Sequence, residues 1–140
     1  MQIEEPQWLF TQYQQGSKLL LIDCRTVNEY AKGHIEGAIS LFISSLMLRR
    51  LKKGNIPLKN FINSDIAKEK FEDRASYEKV VLYDEDTTDI VSDGIIDVLA
   101  KKLMESNTIV LLKGLFMYSF SSIFVIDYKS PFEDTFSNCY

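Results

Sequence analysis

Four short apolar runs limit what this chain can fold into: Lys18-Leu19-Leu20-Leu21-Ile22-Asp23-Cys24, Ala38-Ile39-Ser40-Leu41, Lys79-Val80-Val81-Leu82-Tyr83 and Thr108-Ile109-Val110-Leu111-Leu112. None alternates apolar with polar residues, as a strand wetted on one face would. Strands that read as near-continuous apolar text are buried on both faces, the mark of a parallel sheet under two layers of helix. Helical signals lie between them. Trp8, Leu9 and Tyr13 predict a short amphipathic helix ending before Gly16. Thr26 with Glu29 three residues on is a capping box for a helix through Tyr30 to Gly33. Leu46 to Lys53 predicts a helix stopped by Gly54-Asn55 and Pro57. Lys59 to Ile62 and Ile66 to Phe71 predict two more short helices. Ser92 is expected to cap a helix with Ile95, Ile96, Leu99, Leu103 and Met104 on one face. The expected fold is α/β, a three-layer arrangement around a mostly parallel sheet of about five strands flanked by helices.

The 140 residues are enough for one domain. No run approaches the ~20 apolar residues of a membrane span, and the acidic start Met1-Gln2-Ile3-Glu4-Glu5-Pro6 lacks the basic and apolar regions of a secretory signal. One His and two distant Cys cannot make an ordinary four-ligand zinc site, so no metal and no cofactor is expected. Cys24 and Cys139 have no framework spacing, which favours a reducing, intracellular setting. The net charge of −4 is unevenly spread. Gly37 to Ser64, 28 residues, contains no Asp or Glu but holds Arg49, Arg50, Lys52, Lys53 and Lys59. That window carries +5 and leaves −9 for the rest. A positive patch on an acidic chain focuses attraction onto one partner surface rather than onto nucleic acid in general.

The stretch Asp23-Cys24-Arg25-Thr26-Val27-Asn28-Glu29-Tyr30-Ala31-Lys32-Gly33-His34-Ile35-Glu36-Gly37-Ala38 follows the pattern D-x-R-x-x-x-E-Y-x-x-G-H-I-x-G-A. Asp23 and Arg25 leave the end of a buried strand, and Glu29 is within ion-pair reach of Arg25 if the turn between them is helical. His34 can tie the helix end to the next strand through its ring nitrogens, and Gly33 and Gly37 permit tight turns. This pattern resembles the signature of the rhodanese fold, and its residues read as scaffold. Rhodanese enzymes, as the resemblance implies, place a Cys in the loop after a later parallel strand. Here Val80-Val81-Leu82-Tyr83 is followed by Asp84, Glu85 and Asp86, then Thr87-Thr88-Asp89. A carboxylate cannot carry a persulfide, so sulfur transfer is not expected, and the acids suit the N-terminus of the following helix.

Leu46-Met47-Leu48-Arg49-Arg50-Leu51-Lys52-Lys53-Gly54-Asn55-Ile56-Pro57 is similar to the kinase-interaction motif of MAP kinase phosphatases. The 80–85 and 94–103 segments resemble the same family, most closely the cytoplasmic subgroup directed at extracellular-signal-regulated kinases (ERK). The resemblance spans roughly Trp8 to Gly114 and implies a rhodanese-like domain that docks an ERK-like MAP kinase through an acidic groove, with Leu46, Met47, Leu48, Arg49, Arg50, Leu51, Lys52 and Lys53 as the docking residues. Arg forks suit carboxylates as Lys cannot. The four apolar residues cannot all face inward: either Leu48 and Leu51 face the core and Met47 the partner, or the reverse.

The family's phosphatases use an H-C-x5-R loop. In this chain the only His is followed by Ile35, and Tyr30 stands six residues after Cys24. No catalytic residue is therefore assigned, and Cys24 is expected to be a buried, inert thiol. A sulfurtransferase using Cys24 and a non-functional fragment are the competing readings. The chain is expected to divide at Gly114. Residues 1–114 form the domain. Residues 115–140 form an atypical tail with eight of the 17 aromatics, without usable periodicity, as if from truncation or alternative splicing.

Overall fold

The computed structural model describes residues 1–54, 56–85, 87, 94–113 and the strand 126–127. Asp86, Ser92 and most of the 115–140 tail lie outside the described residues, as does the expected boundary at Gly114.

The elements are β1 (Gln2–Glu4), α1 (Pro6–Gln14), β2 (Leu19–Asp23), α2 (Val27–Lys32), β3 (His34–Ile35), β4 (Ile39–Ser40), α3 (Ser45–Lys53), a 3-10 turn (Leu58–Phe61), α4 (Asp65–Glu72), a second 3-10 turn (Arg74–Ser76), β5 (Lys79–Tyr83), α5 (Ile95–Leu103), β6 (Ile109–Leu112) and β7 (Ile126–Asp127). Five strands form one parallel sheet in the order β1-β6-β5-β2-β4. All four apolar runs lie in it, and three are central. The fifth strand, β1, is unforeseen: Gln2-Ile3-Glu4 has one apolar residue between two polar ones, and its place comes from pairing with β6 rather than from burial. The Lys113 amide bonds Glu4 O at 2.9 Å and the Lys113 ammonium meets Glu5 at 3.2 Å, which fastens this edge.

Side chains alternate across the sheet, as the strand period of two requires. Leu20, Ile22, Val80, Leu82, Ile109 and Leu111 face one layer, packed with Leu51 of α3, Phe71 of α4 and Leu99 and Leu103 of α5. Leu21, Val81, Tyr83, Val110 and Leu112 face the other, with Leu9 of α1 and Ile35. This is the expected three-layer α/β architecture.

Hydroxyl caps start three helices: Thr26 accepts from Glu29 N, Ser44 from Met47 N and Ser64 from Ala67 N. On α5 the apolar face is Ile96, Leu99 and Leu103, with Val98 and Ala100 also buried. Met104 does not belong to it. It sits at the C-cap and is 54% exposed, because the helix ends one residue earlier than the apolar spacing suggested. The tail supplies a two-residue strand, β7, antiparallel to β3; two residues are too few to leave a periodic trace.

Candidate functional site

Two regions carry the candidate residues: the C-terminal rim of β2 and β5, and the outer face of α3.

At the rim, Asp23 and Arg25 are buried and locked together. Arg25 Nε lies 3.1 Å from both Asp23 oxygens, Nη2 lies 2.7 Å from Oδ2, and Nη2 also donates to Gly33 O at 2.6 Å. The Tyr83 hydroxyl donates to Asp23 Oδ2 at 2.9 Å, which joins the ends of adjacent strands. Burial works against the Arg25 charge, but the bonds and charge of Asp23 outweigh it, and its pKa is raised. Burial first, then the Asp23 charge, pushes the Tyr83 phenol well above its ordinary value. The expected Arg25–Glu29 pair does not form. Arg25 precedes the N-cap Thr26, so helical i,i+4 spacing does not apply, and its side chain folds back to Asp23. Glu29 meets Lys32 instead, at 3.5 Å on the surface.

His34 stacks on Tyr30, with ring centroids 3.7 Å apart, and its Nδ1 lies 2.8 Å from Tyr30 O. A carbonyl only accepts, so Nδ1 carries the proton. The bond ties β3 back to α2, as expected of this residue. Ile35 to Ala38 form a turn closed by Ala38 N donating to Ile35 O at 2.9 Å. Gly37 has φ of +85° there, the left-handed position a type II turn reserves for Gly. Gly33, in contrast, has φ of 162°, an extended conformation open to any residue.

Cys24 follows β2 directly, and its amide donates to Tyr83 O at 2.9 Å. The thiol is free and buried. Burial, then the charges of Asp23 and Asp84, push it well above its ordinary value. A protonated thiol is a poor nucleophile. Asp84 follows β5, where the resemblance places a rhodanese Cys. Its Oδ1 accepts from Thr87 N at 2.8 Å and its Oδ2 from the Thr87 hydroxyl, which closes the start of the loop. Glu85 is exposed beside it. Among the described residues, no group of three or more His, Cys, Asp or Glu side chains is placed to hold a metal.

Along α3, Leu51 is fully buried, and Met47 and Leu48 are partly buried against the same core. Neither expected alternative holds, since Met47 and Leu48 both turn inward with Leu51. The helix covers a broad apolar face at i, i+1 and i+4, and the outward apolar residue is Leu46, 59% exposed. Leu46, Arg49, Arg50 and Lys53 then follow at i, i+3, i+4 and i+7 and share one side of the helix. Both arginines are exposed, as are Lys52 and Lys53. Among the described residues, neither Arg49 nor Arg50 makes an ion pair.

A family model described as the rhodanese-like domain matches residues 5–117. The chain belongs to the rhodanese-like domain family. Its relatives include the human dual specificity protein phosphatase 7, 47% identical over 74 residues, which is 53% of this chain and 18% of that protein. The human dual specificity protein phosphatase 6 is 38% identical over 103 residues, 70% of this chain and 27% of that protein. The dual specificity protein phosphatase Mpk3 of Drosophila melanogaster is 40% identical over 68 residues, 16% of its length. This rhodanese-like chain therefore matches under a third of the relatives' length.

Sequence reasoning missed the Tyr83 hydroxyl as the third member of the rim network. A Tyr ending an otherwise aliphatic buried strand was the available signal, because a buried phenol needs a partner.

Proposed function

We propose that this rhodanese-like domain is a catalytically silent docking module that binds an ERK-like MAP kinase through the outer face of α3. The observation that carries this reading is the Leu46, Arg49, Arg50, Lys53 stripe: one exposed apolar side chain and three exposed cations on one helix face, with both arginines unpaired among the described residues. Such a face fits an acidic groove with an apolar lip. The charges set encounter rate and selectivity, and Leu46 slows release. The kinship with dual specificity phosphatases and the resemblance to their ERK-directed cytoplasmic subgroup support the choice of partner and a cytoplasmic setting. The silent rim is supported by Asp84 at the nucleophile position and by the buried, protonated Cys24. Within a phosphatase, the module would deliver the kinase for dephosphorylation and so restrain MAP kinase signalling.

The test is capture of purified ERK-like kinase by the 140-residue chain and by its Arg49→Ala/Arg50→Ala variant. A desolvated Arg–carboxylate pair is worth about 2–5 kcal/mol to binding, so the double variant should lose most capture. Capture should also weaken as salt rises, because screening acts over about 8 Å at physiological ionic strength. Equal capture by both proteins overturns the docking assignment, and turnover of thiosulfate and cyanide overturns the silent rim.

A further inference from the structure

Beyond the C-terminus of α3 the chain turns through Ile56, Pro57 and Leu58 over the end of α4 and leaves a cleft of about 410 Å³. That volume suits one or two side chains of a visiting segment. Its apolar wall is Ile56, Leu58 and Phe71, all packed on the core. Its charged lining is Lys59, Arg74 and Lys102, with Glu72 the one acid. Glu72 is taken by Lys59 at 3.3 Å, in a pair exposed on both sides. Arg74 and Lys102 are left, with no ion pair among the described residues.

Arg74 is already half organised. Its guanidinium stacks 4.6 Å from the Phe71 ring centroid, and Nη1 donates to Phe71 O at 3.1 Å. Its Nε is buried with no hydrogen-bond partner, the one such side-chain atom among the described residues. Arg74 also lines the cleft, where a guanidinium is a strong, charge-assisted donor to an incoming carboxylate. The cleft thus offers an apolar wall, an oriented guanidinium and a free ammonium, on a chain whose overall charge is −4.

We infer that this cleft is a second binding subsite, which takes a carboxylate side chain and a neighbouring apolar side chain from the partner docked on α3. The inference rests on the docking reading for its occupant. The cleft lining begins at Ile56, three residues after Lys53 and inside the acid-free window, which makes it the next feature along the chain from the docking helix.

The experiment measures affinity of the full 140-residue chain for purified ERK-like kinase in four variants: Arg49→Ala/Arg50→Ala, Lys102→Glu, Arg74→Gln and Lys32→Glu. Lys102 is exposed, so its reversal leaves the fold alone. Arg74→Gln also removes a bond to the end of α4 and is melted in parallel. Lys32 on α2 lies outside the cleft lining and controls for net charge. The expected result is a loss of about tenfold for Lys102→Glu, a loss of similar direction for Arg74→Gln, and little change for Lys32→Glu. Wild-type affinity in Lys102→Glu, with a loss in the double arginine variant, overturns the subsite and leaves docking intact. An equal loss in Lys32→Glu and Lys102→Glu also overturns it, because net charge then suffices. No kinase binding by the wild-type chain overturns both readings.

Discussion

Replacing Asp23 by Ala should be among the most damaging single changes at the strand ends. Asp23 is 0% exposed and accepts from Arg25 N at 2.9 Å, from the Arg25 guanidinium at 2.7–3.1 Å and from the Tyr83 hydroxyl at 2.9 Å. Removing it strands a buried guanidinium, left with its bond to Gly33 O, and a buried phenol that loses its acceptor. Breaking one side of a buried ion pair costs about 3–5 kcal/mol, mostly from the charge left behind. That is a large part of the roughly 5–15 kcal/mol that holds a domain together. Tyr83→Phe removes two hydrogen bonds, the one donated to Asp23, which keeps its Arg25 contacts, and the one accepted from Ile35 N at 3.3 Å, and should cost at least about 1.5–3 kcal/mol. The Lys59–Glu72 pair has a similar separation of 3.3 Å, but both partners are exposed. Lys59→Ala should therefore cost at most about 1 kcal/mol. Urea unfolding at pH 7 gives all three values. Asp23→Leu/Arg25→Met removes both charges, and should be less destabilised than Asp23→Ala, since a buried ion pair replaced by apolar groups is often neutral. A cost for Asp23→Ala below about 1 kcal/mol, or a double variant no better than the single one, refutes the claim that the stranded charge is what matters.

Leu51→Ala should cost about 2–5 kcal/mol in urea unfolding because its side chain is fully buried, whereas Leu46→Ala should stay within about 0.5 kcal/mol of wild type while reducing kinase capture. Gly37→Ala should destabilise by about 1 kcal/mol, because a φ of +85° strains any residue with a Cβ, although no atom lies within 4 Å to clash; an unchanged melt counts against the turn argument. In a Cys139→Ser background, Cys24 should resist alkylation at pH 8 until the chain is denatured, since burial holds the thiol protonated. A Cys24 pKa raised on folding contributes stability below the unfolded value and loses it as pH climbs toward the folded one. Wild type should therefore weaken above about pH 8.5, and Cys24→Ala should weaken less.

The sheet was legible because burial on both faces removes polar residues from a strand, and the four apolar runs record that burial directly. The three hydroxyl caps mark where helices start, and Thr26 with Glu29 was recognisable as such. What escaped detection depends on partners distant in sequence. The strand β1 exists because β6 offers it an open edge, and nothing in Gln2-Ile3-Glu4 says so. Arg25 had two carboxylates within four residues, and spacing favoured Glu29. The choice of Asp23 follows from where β2 ends and α2 begins. On α3, four apolar residues within six positions exceed what one face can bury, so the sequence left open which one remains outside. The core beneath selects Met47, Leu48 and Leu51 and leaves Leu46 exposed. The cleft beside Arg74 joins residues 56–59, 71, 72, 74 and 102, a grouping no local pattern announces.

The cations of α3 have an explanation that needs no partner, and it covers only some of them. Arg50, Lys52 and Lys53 lie in the last turn, where each gains about 0.3–1 kcal/mol from the helix dipole. Arg49 lies outside that turn. A helix organised for its own stability would carry acids in its first turn, and α3 has none there. It would also place Glu four residues before each arginine, for about 0.2–0.5 kcal/mol per pair. Those positions hold Ser45 and Leu46, and Leu46 is exposed. The helix forgoes its own counterions across an acid-free window while the rest of the chain is acidic. At the rim of β2 and β5 the opposite holds, since Arg25 is fully engaged by Asp23 and Gly33 O. In open α/β sheets the carboxyl ends of strands are the usual place for a ligand. Among the described residues, the ends of β2 and β5 are tied up by the bonds of Asp23, Arg25 and Tyr83, and the unmatched charge sits on a helix face instead, which supports the proposed recognition of an acidic protein surface.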